Sequence, residues 1–298
     1  MTMLIKHLIT GRSSNNWKTF FLMASFLVVV VLLGFLVSMM TNNVTYLYFA
    51  IILSLGINFF SYFFSDTIAL KYSGAIKAEE DKYSELHQVV ESLSQKAHIP
   101  KPDVYVINDP GPNAFATGRN EYNSAIAVTT GLLAMMNKNE LEGVIAHELS
   151  HIKNKDILIM SVVVVLSGIL SMLANIFLSR SFGSNDSKEN NTIAFAITII
   201  AFIVLPIAAT LVRLAISRKR EFVADASGGL ITGYPEGLAS ALQKISSYSQ
   251  PLQNASSATA HMYISCPFGG IEKQTFFQKL FMTHPPVEER IKALVKKS

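Results

Sequence analysis

Residues 139–154 read NELEGVIAHELSHIKN, and an uncharged apolar run over residues 157–179 begins after two intervening residues. The first segment predicts an amphipathic helix, capped by Asn137 or Asn139, because its apolar residues return at helical spacing. The second segment is long enough to form a helix across a bilayer core of about 30 Å. The two together predict a water-facing helix that leads directly into a membrane helix.

Three further uncharged apolar runs cover residues 20–40, 44–65 and 193–212. Four runs of this length predict four transmembrane helices, since about 20 apolar residues cross a bilayer. The alternative is that they are buried helices of a soluble protein. That alternative fits poorly, because only 15% of the 298 residues are charged, whereas soluble domains carry about 25%. The first run also exceeds the apolar region of about 7–15 residues in a cleaved signal peptide, so we expect a retained anchor.

The basic residues that flank the four runs fall on one side of the predicted membrane. The loop at residues 41–43 carries no charge, and the loop at residues 180–192 carries two basic and two acidic residues. Lysine and arginine concentrate on the cytoplasmic side, which places the basic face in the cytosol. This bias accounts for the net charge of +4, so we expect no nucleic-acid partner. The single cysteine, Cys266, excludes an intramolecular disulfide.

The runs divide the chain into four predicted parts. Residues 1–65 hold an N-terminal segment with two membrane helices, and residues 157–212 form a transmembrane hairpin. Residues 66–156 and 213–298 are two water-facing halves, which together have the size of about one domain. Because two crossings return the chain to the same side, these halves can pack together.

The water-facing halves contain both helical and strand patterns. Apolar periodicity and breaker residues predict strands and helices in alternation in the first half, and helices in the second. The predicted strands cover residues 104–107 and 124–129, and a turn covers residues 108–112. The predicted helices besides residues 139–154 cover residues 73–98, 218–228, 235–248 and 287–297. We expect a flexible loop over residues 250–270.

The helix at residues 139–154 contains His147, Glu148 and His151 in the pattern H-E-x-x-H. Residues four apart share a helix face, so the two imidazoles can chelate one metal ion with Glu148 beside the attacking water. Glu148 also falls within the apolar arc of the helix, where a carboxylate is costly without a partner. The alternative is that these residues form the solvated polar face of a surface helix. That alternative does not explain a carboxylate on the apolar side of the helix.

A catalytic zinc site needs a third protein ligand. The best candidate is Glu221. His151 lies just before the third apolar run and Glu221 lies just after the fourth, so both residues are expected at the same membrane surface. Asp225, one turn after Glu221, could accept a hydrogen bond from a ligating histidine. Acidic pairs at this spacing are also common on solvated helices, and Glu140 or Glu142 remains an alternative third ligand.

These motifs, with a membrane hairpin between them, resemble those of the HtpX family of bacterial membrane zinc metalloproteases, which are relatives of the CAAX prenyl endoproteases. Further matches are NAFATG at residues 113–118 and THPPVEER at residues 283–290. The resemblance covers nearly the whole chain. It implies an integral protein of the bacterial cytoplasmic membrane, with an α+β zincin-like (gluzincin) protease domain facing the cytosol.

The resemblance also implies the roles of individual residues. One zinc ion would be held by His147, His151 and Glu221, and Glu148 would be the catalytic residue. The implied role is the degradation of damaged or misfolded membrane proteins, so the expected partners are the lipid bilayer and extended segments of protein substrates.

Two weaker candidates lie in the matching segments at residues 113–118 and 283–290. His284 could stabilise the developing oxyanion, or it could simply cap or pack before the two prolines that follow it. The segment from Asn113 to Gly118 could pair with an extended substrate by β-augmentation, or it could serve packing alone.

Two other classes of function stay open. One is a protease that processes prenylated proteins, which a cavity enclosed by many helices would favour. The other is a membrane protein without catalysis that uses the metal for stability or transport, which polar residues along the membrane runs would favour.

Overall fold

The computed structural model describes residues 2–183, 218–254, 259–268 and 285–295, with the backbone alone over residues 2–14 and 170–183. Its first two helices are α1, Thr2–Thr41, and α2, Thr45–Tyr72. Within them, Asn15–Thr41 and Thr45–Tyr72 are long and apolar enough to cross a membrane. They contain the first two predicted runs.

Helix α2 turns its small and polar residues inward and its large apolar residues outward. Phe59 and Ile52 are exposed, whereas Ser54, Asn58 and Ser61 are buried. Asn58 and Ser61 hydrogen-bond to backbone carbonyls of their own helix. Small residues allow close helix contact, as is typical of membrane bundles. The polar residues that dilute this run in the sequence therefore form its packed face.

A four-stranded sheet follows in the first of the two halves that are predicted to face water. It consists of β1, Ala75–Lys77, β2, Asp103–Ile107, β3, Ala114–Asn120, and β4, Asn123–Thr129. The strand order is β1-β2-β4-β3. Strands β2 and β4 are parallel, and the other two pairs are antiparallel. The predicted strands at residues 104–107 and 124–129 are confirmed.

Two features of this half differ from the prediction. Helix α3 covers only Ser84–Ala97, because residues 75–77 pair with β2 instead of starting the helix. The sequence does not predict strand β3, since most of its residues are small or polar and they alternate poorly. Its first five residues are all buried, which removes the alternation that marks a half-exposed strand.

The remaining described helices include the one that carries the H-E-x-x-H segment. They are α4, Thr130–Met135, α5, Lys138–Lys153, α6, Asp156–Gly183, α7, Arg218–Thr232, α8, Pro235–Ser247, and α9, Val287–Val295. Asn137 caps α5 in a capping box with Glu140. Within the described residues the predicted helices of the second half are confirmed. The third apolar run lies in α6, and the fourth lies outside the described residues.

The loop predicted at residues 250–270 is irregular in its described part apart from one short helix, but several of its residues are buried. A short 3₁₀ helix covers Ala260–Met262. Tyr263 and Ile264 are buried, and the Tyr263 ring packs edge-on against Phe115. The segment has no periodicity because it is anchored by individual side chains and does not form a regular helix or strand.

Helix α5 packs tightly against α7 and α8. A methyl group at Gly143 of α5 would lie 2.6 Å from the Leu238 nitrogen of α8, and one at Gly228 of α7 would lie 3.1 Å from the His147 nitrogen. These glycines let α7 and α8 approach the backbone of α5. The approach brings the acidic residues of α7 within reach of the histidines of α5.

A second apolar cluster joins the sheet to the apolar helices α1, α2 and α6. Leu22 and Phe26 of α1, Leu70 of α2 and Val163 of α6 pack in one cluster with Phe115 of β3. The strand nearest to the candidate site therefore rests directly on the apolar helices.

Candidate metal centre

The imidazoles of α5 and one carboxylate of α7 converge on a single point. The Nε2 atoms of His147 and His151 lie 3.2 Å apart. The Glu221 carboxylate lies 3.8 Å from His147 Nε2 and 3.5 Å from His151 Nε2. All three residues are buried, and their candidate ligand atoms lie within 4.8 Å of one another. The structure thus brings together the three ligands predicted from the sequence.

This donor set suits a zinc ion. Two ligands held about 2.0–2.2 Å from a tetrahedral zinc lie about 3.3–3.6 Å apart, close to the distances between these atoms. Two imidazoles and one carboxylate form a common catalytic zinc set that leaves a fourth position open. The alternative ligands Glu140 and Glu142 do not belong to the converging group found among the described residues. Glu140 instead accepts hydrogen bonds from Lys244 and Ser240.

A carboxylate holds the far side of the His147 ring. His147 Nδ1 lies 2.9 Å from Asp225 Oδ1, in the position predicted for Asp225. Burial lowers the pKa of His147 although the ring hydrogen-bonds to the Asp225 carboxylate, and the nearby Arg290 lowers that pKa further. The neutral imidazole can donate a hydrogen bond from its Nδ1–H to Asp225, which leaves the Nε2 lone pair for a metal.

The His151 ring has a carboxylate partner of its own that the sequence analysis missed. His151 Nδ1 lies 3.1 Å from Asp156 Oδ2. Burial alone would lower the pKa of His151, but Asp156 and Glu221 beside it raise that pKa to about 9. The surroundings of this ring therefore favour a positive charge, which a divalent cation supplies. The feature of the sequence that could have indicated this role is an acidic residue directly before a long apolar run.

Arg290 of α9 is the second residue that the sequence analysis missed. Its side chain is fully buried, and it donates to Asp225 and to the Ile264 carbonyl. Its Nη1 also lies 3.6 Å from Glu221 Oε2. The available signal was its position on the apolar stripe of α9, three residues after Val287 and four before Leu294.

Glu148 points into the same buried space. The Ala116 N–H donates to its carboxylate, and burial, with the charge of Glu221, raises the pKa of Glu148 to about 7. Its Oε1 atom is buried and has no hydrogen-bond partner among the described residues. An acceptor that is buried without a hydrogen bond costs folding free energy, so this atom indicates a place for a bound group. A water between Glu148 and a metal would satisfy it.

The outer edge of β3 is occupied in part by other segments of the chain. The Ala114 carbonyl accepts from the Ile264 N–H, and the Gly118 N–H donates to Ser161 Oγ. The Asn113 amide also donates to the Ser265 carbonyl. A substrate strand along residues 113–118 would have to replace these contacts. His284 lies outside the described residues.

Comparison with known proteins places the chain in a family. The model of peptidase family M48 matches residues 80–298. A "Protease HtpX homolog" of Caldanaerobacter subterraneus subsp. tengcongensis is 44% identical over 95% of each chain. One of Pyrococcus furiosus is 48% identical over 83% of this chain and 85% of its own.

A solved structure agrees at the level of the fold. The crystal structure of S. mikatae Ste24p has a TM-score of 0.50 at 17% identity, and the match covers 96% of this chain and 67% of that chain. The resemblance predicted from the motifs is confirmed by the family match and by the curated relatives. The chain therefore belongs to peptidase family M48, among the HtpX-like membrane metalloproteases.

Proposed function

We propose that the chain is a zinc endopeptidase with one zinc ion held by His147, His151 and Glu221. The observation that carries this proposal is the convergence of these three side chains beside Glu148, whose buried Oε1 atom lacks a partner among the described residues. The donor chemistry favours zinc over magnesium or calcium, which prefer oxygen ligands.

The residues around the proposed metal position have different roles in peptide hydrolysis. When bound, zinc would act as a Lewis acid that polarises the scissile carbonyl and lowers the pKa of the attacking water. Glu148 takes the proton from that water and delivers it to the leaving amine. Asp225 and Asp156 hold the two histidine rings in the tautomer that frees Nε2. His284 is a candidate donor to the oxyanion.

The proposed substrates are extended segments of damaged or misfolded membrane proteins. Two features support this: β3 lies at the sheet edge next to Glu148, and its residues pack on the helices that are apolar enough to span a membrane. An extended segment can pair with β3 where it replaces the contacts made by Ile264 and Ser161.

The proposed setting is the bacterial cytoplasmic membrane, with four membrane helices and a zincin-like domain facing the cytosol. The bias of basic residues supports this orientation. Single cysteines at positions 101 and 185, in a chain with Cys266 replaced by serine, test it. In intact cells an impermeant external reagent should label position 185 only. Labelling of position 101 alone would show that the protein has the opposite orientation.

The activity is tested with the full chain purified in detergent and loaded with one equivalent of zinc. We expect cleavage of an unfolded test protein, loss of cleavage with chelator, and recovery after zinc is restored. The matched control is Glu148→Gln, which keeps the proposed ligands. Selective cleavage of a farnesylated CAAX peptide would favour prenyl-protein processing instead. Chelator-resistant cleavage of both substrates would contradict the proposal.

A further inference from the structure

Asp156 stands between the metal centre and the first membrane helix. Its Oδ2 lies 3.1 Å from His151 Nδ1, and its Oδ1 accepts a hydrogen bond of 2.6 Å from Asn15 Nδ2 of α1. All three residues are at most 4% exposed. One buried carboxylate therefore joins a proposed metal ligand to the N-terminal helix.

The Asn15 amide makes a second contact at the end of α5. Its Nδ2 also donates to the Asn154 carbonyl over 3.2 Å, and Asn154 is the C-terminal cap of that helix. The last carbonyls of a helix lack partners within the helix, so an outside donor is needed there. Asn15 thus fixes both the end of α5 and the carboxylate two residues beyond it.

The same carboxylate is held from the other side by α7. Arg220 Nη1 lies 3.4 Å from Asp156 Oδ1, and Arg220 directly precedes Glu221 in the chain. Asp156 therefore receives one neutral donor from α1 and one cation from α7. Its position depends on both helices.

We propose that Asn15 is a positioning residue for the metal centre, which orients His151 through Asp156. The proposal rests on the proposed function, because it needs His151 to bind the metal. Partners on the far nitrogen of a ligating histidine fix the orientation and tautomer of its ring. His147 receives this support through Asp225 and the C-terminal helix α9, and His151 receives it through Asp156 and the N-terminal helix α1. Docking of the first membrane helix then sets the metal affinity.

The simpler alternative is that Asn15 only docks α1 against the rest of the chain. The two roles differ in a double-mutant cycle. If Asn15 acts through Asp156, removing both gives no greater loss than removing Asp156 alone. If Asn15 serves docking alone, its effect on zinc affinity should be nil or should add to that of Asp156.

The experiment measures zinc affinity of the full chain in detergent by competition with a chelator, together with the visible spectrum of the cobalt-substituted protein. The variants are Asn15→Leu, Asp156→Asn and their combination. Asn16→Leu is the matched control, because Asn16 is the neighbouring residue of the same type and is exposed. Asn15→Ala removes the donor without adding bulk or charge, and it serves as a second variant if the leucine variant does not fold.

We expect Asp156→Asn to weaken zinc binding about 10- to 100-fold. Asn15→Leu should weaken it about 3- to 10-fold, as the loss of one hydrogen bond would. Both should alter the cobalt spectrum, the double variant should match Asp156→Asn, and Asn16→Leu should match the unsubstituted chain.

Wild-type affinity in Asn15→Leu and Asn15→Ala, or fully additive losses in the double variant, would overturn the positioning role. His147→Ala separates that failure from failure of the site itself. If His147→Ala loses zinc while the Asn15 variants bind zinc normally, only the positioning role is rejected. If His147→Ala binds zinc as tightly as the unsubstituted chain, the proposed metal centre is wrong and the positioning role falls with it.

Discussion

Arg290 donates to both carboxylate oxygens of Asp225, over 2.9 Å from Nε and 2.7 Å from Nη2. Both side chains are buried, and Asp225 in turn contacts the His147 ring. The charge of Asp225 is therefore balanced from α9, near the end of the chain. This pair ties the C-terminal helix to the proposed metal centre.

Replacing Arg290 should destabilise the protein strongly. Arg290→Met keeps most of the side-chain volume but leaves Asp225 without its buried partner, which typically costs about 3–5 kcal/mol. We expect a lower thermal unfolding midpoint in detergent. Lys292→Met is the matched control, since Lys292 is an exposed cation on the same helix. An unchanged midpoint in Arg290→Met would show that the pair does not hold α9 in place.

Replacing Glu148 should separate catalysis from metal binding. Glu148→Gln removes the base but none of the proposed ligands, so the zinc content should stay at one per chain. Turnover should fall by at least about 10²- to 10⁴-fold, the usual contribution of general acid–base catalysis. Glu142→Gln, a partly exposed position on the same helix, should keep its activity. Peptide hydrolysis near the normal rate in Glu148→Gln would rule out this mechanism.

Glu140 should make the stability depend on pH in the acid range. Burial alone would raise the pKa of Glu140, but hydrogen bonds from Lys244 and Ser240 lower it below its ordinary value of 4.5. A carboxyl whose pKa is lowered by folding stabilises the folded state above its unfolded pKa, and this contribution is lost as the pH falls through the folded value. Unfolding midpoints measured between pH 7 and pH 3 should therefore fall at the acid end of the range.

The variant Glu140→Gln isolates this contribution. It should be less stable than the unsubstituted chain at pH 7, and the difference should shrink below about pH 4.5. A constant difference between Glu140→Gln and the unsubstituted chain across this pH range would contradict the assignment.

The close contact between α5 and α8 predicts a steric effect at Gly143. In Gly143→Ala the new methyl group would meet the backbone of Leu238 at 2.6–2.8 Å, and backbone atoms cannot turn away. We expect a loss of about 1–3 kcal/mol in the free energy of unfolding, as is typical of overpacking. Gly56→Ala on α2 is the control, because nothing lies within 4 Å of its added methyl group. Equal stability of the two variants would contradict the packing.

The sequence predicts most of the metal centre because its residues lie at fixed spacings on helices. His147 and His151 share a face of α5 through the helical period alone, as do Glu221 and Asp225 on α7. The partners Asp156 and Arg290 follow no such local rule. Asp156 contacts His151 through the turn between α5 and α6, where Lys155 has a φ of 60°, and Arg290 contacts Asp225 through the packing of α9. Neither the geometry of that turn nor the packing of α9 follows from helical periodicity.

Local sequence patterns likewise predict some elements of the fold and not others. Helices α5 and α8 carry clear apolar periodicity, and their predicted bounds agree with the structure to within two residues. Strand β3 carries little periodicity because both of its faces are buried. The segment around Tyr263 was expected to be mobile because its composition is that of a loop, yet it is held by contacts with Phe115 and Ala114.

The most direct test of the account is the zinc content and zinc affinity of Glu221→Ala, measured beside Asp225→Ala and Glu289→Ala. Glu289 is an exposed acidic residue of α9 and serves as the control. We predict that Glu221→Ala loses stoichiometric zinc, that Asp225→Ala binds zinc about 10- to 100-fold more weakly, and that Glu289→Ala is unchanged. One zinc per chain bound at wild-type affinity in Glu221→Ala would contradict the three-ligand centre.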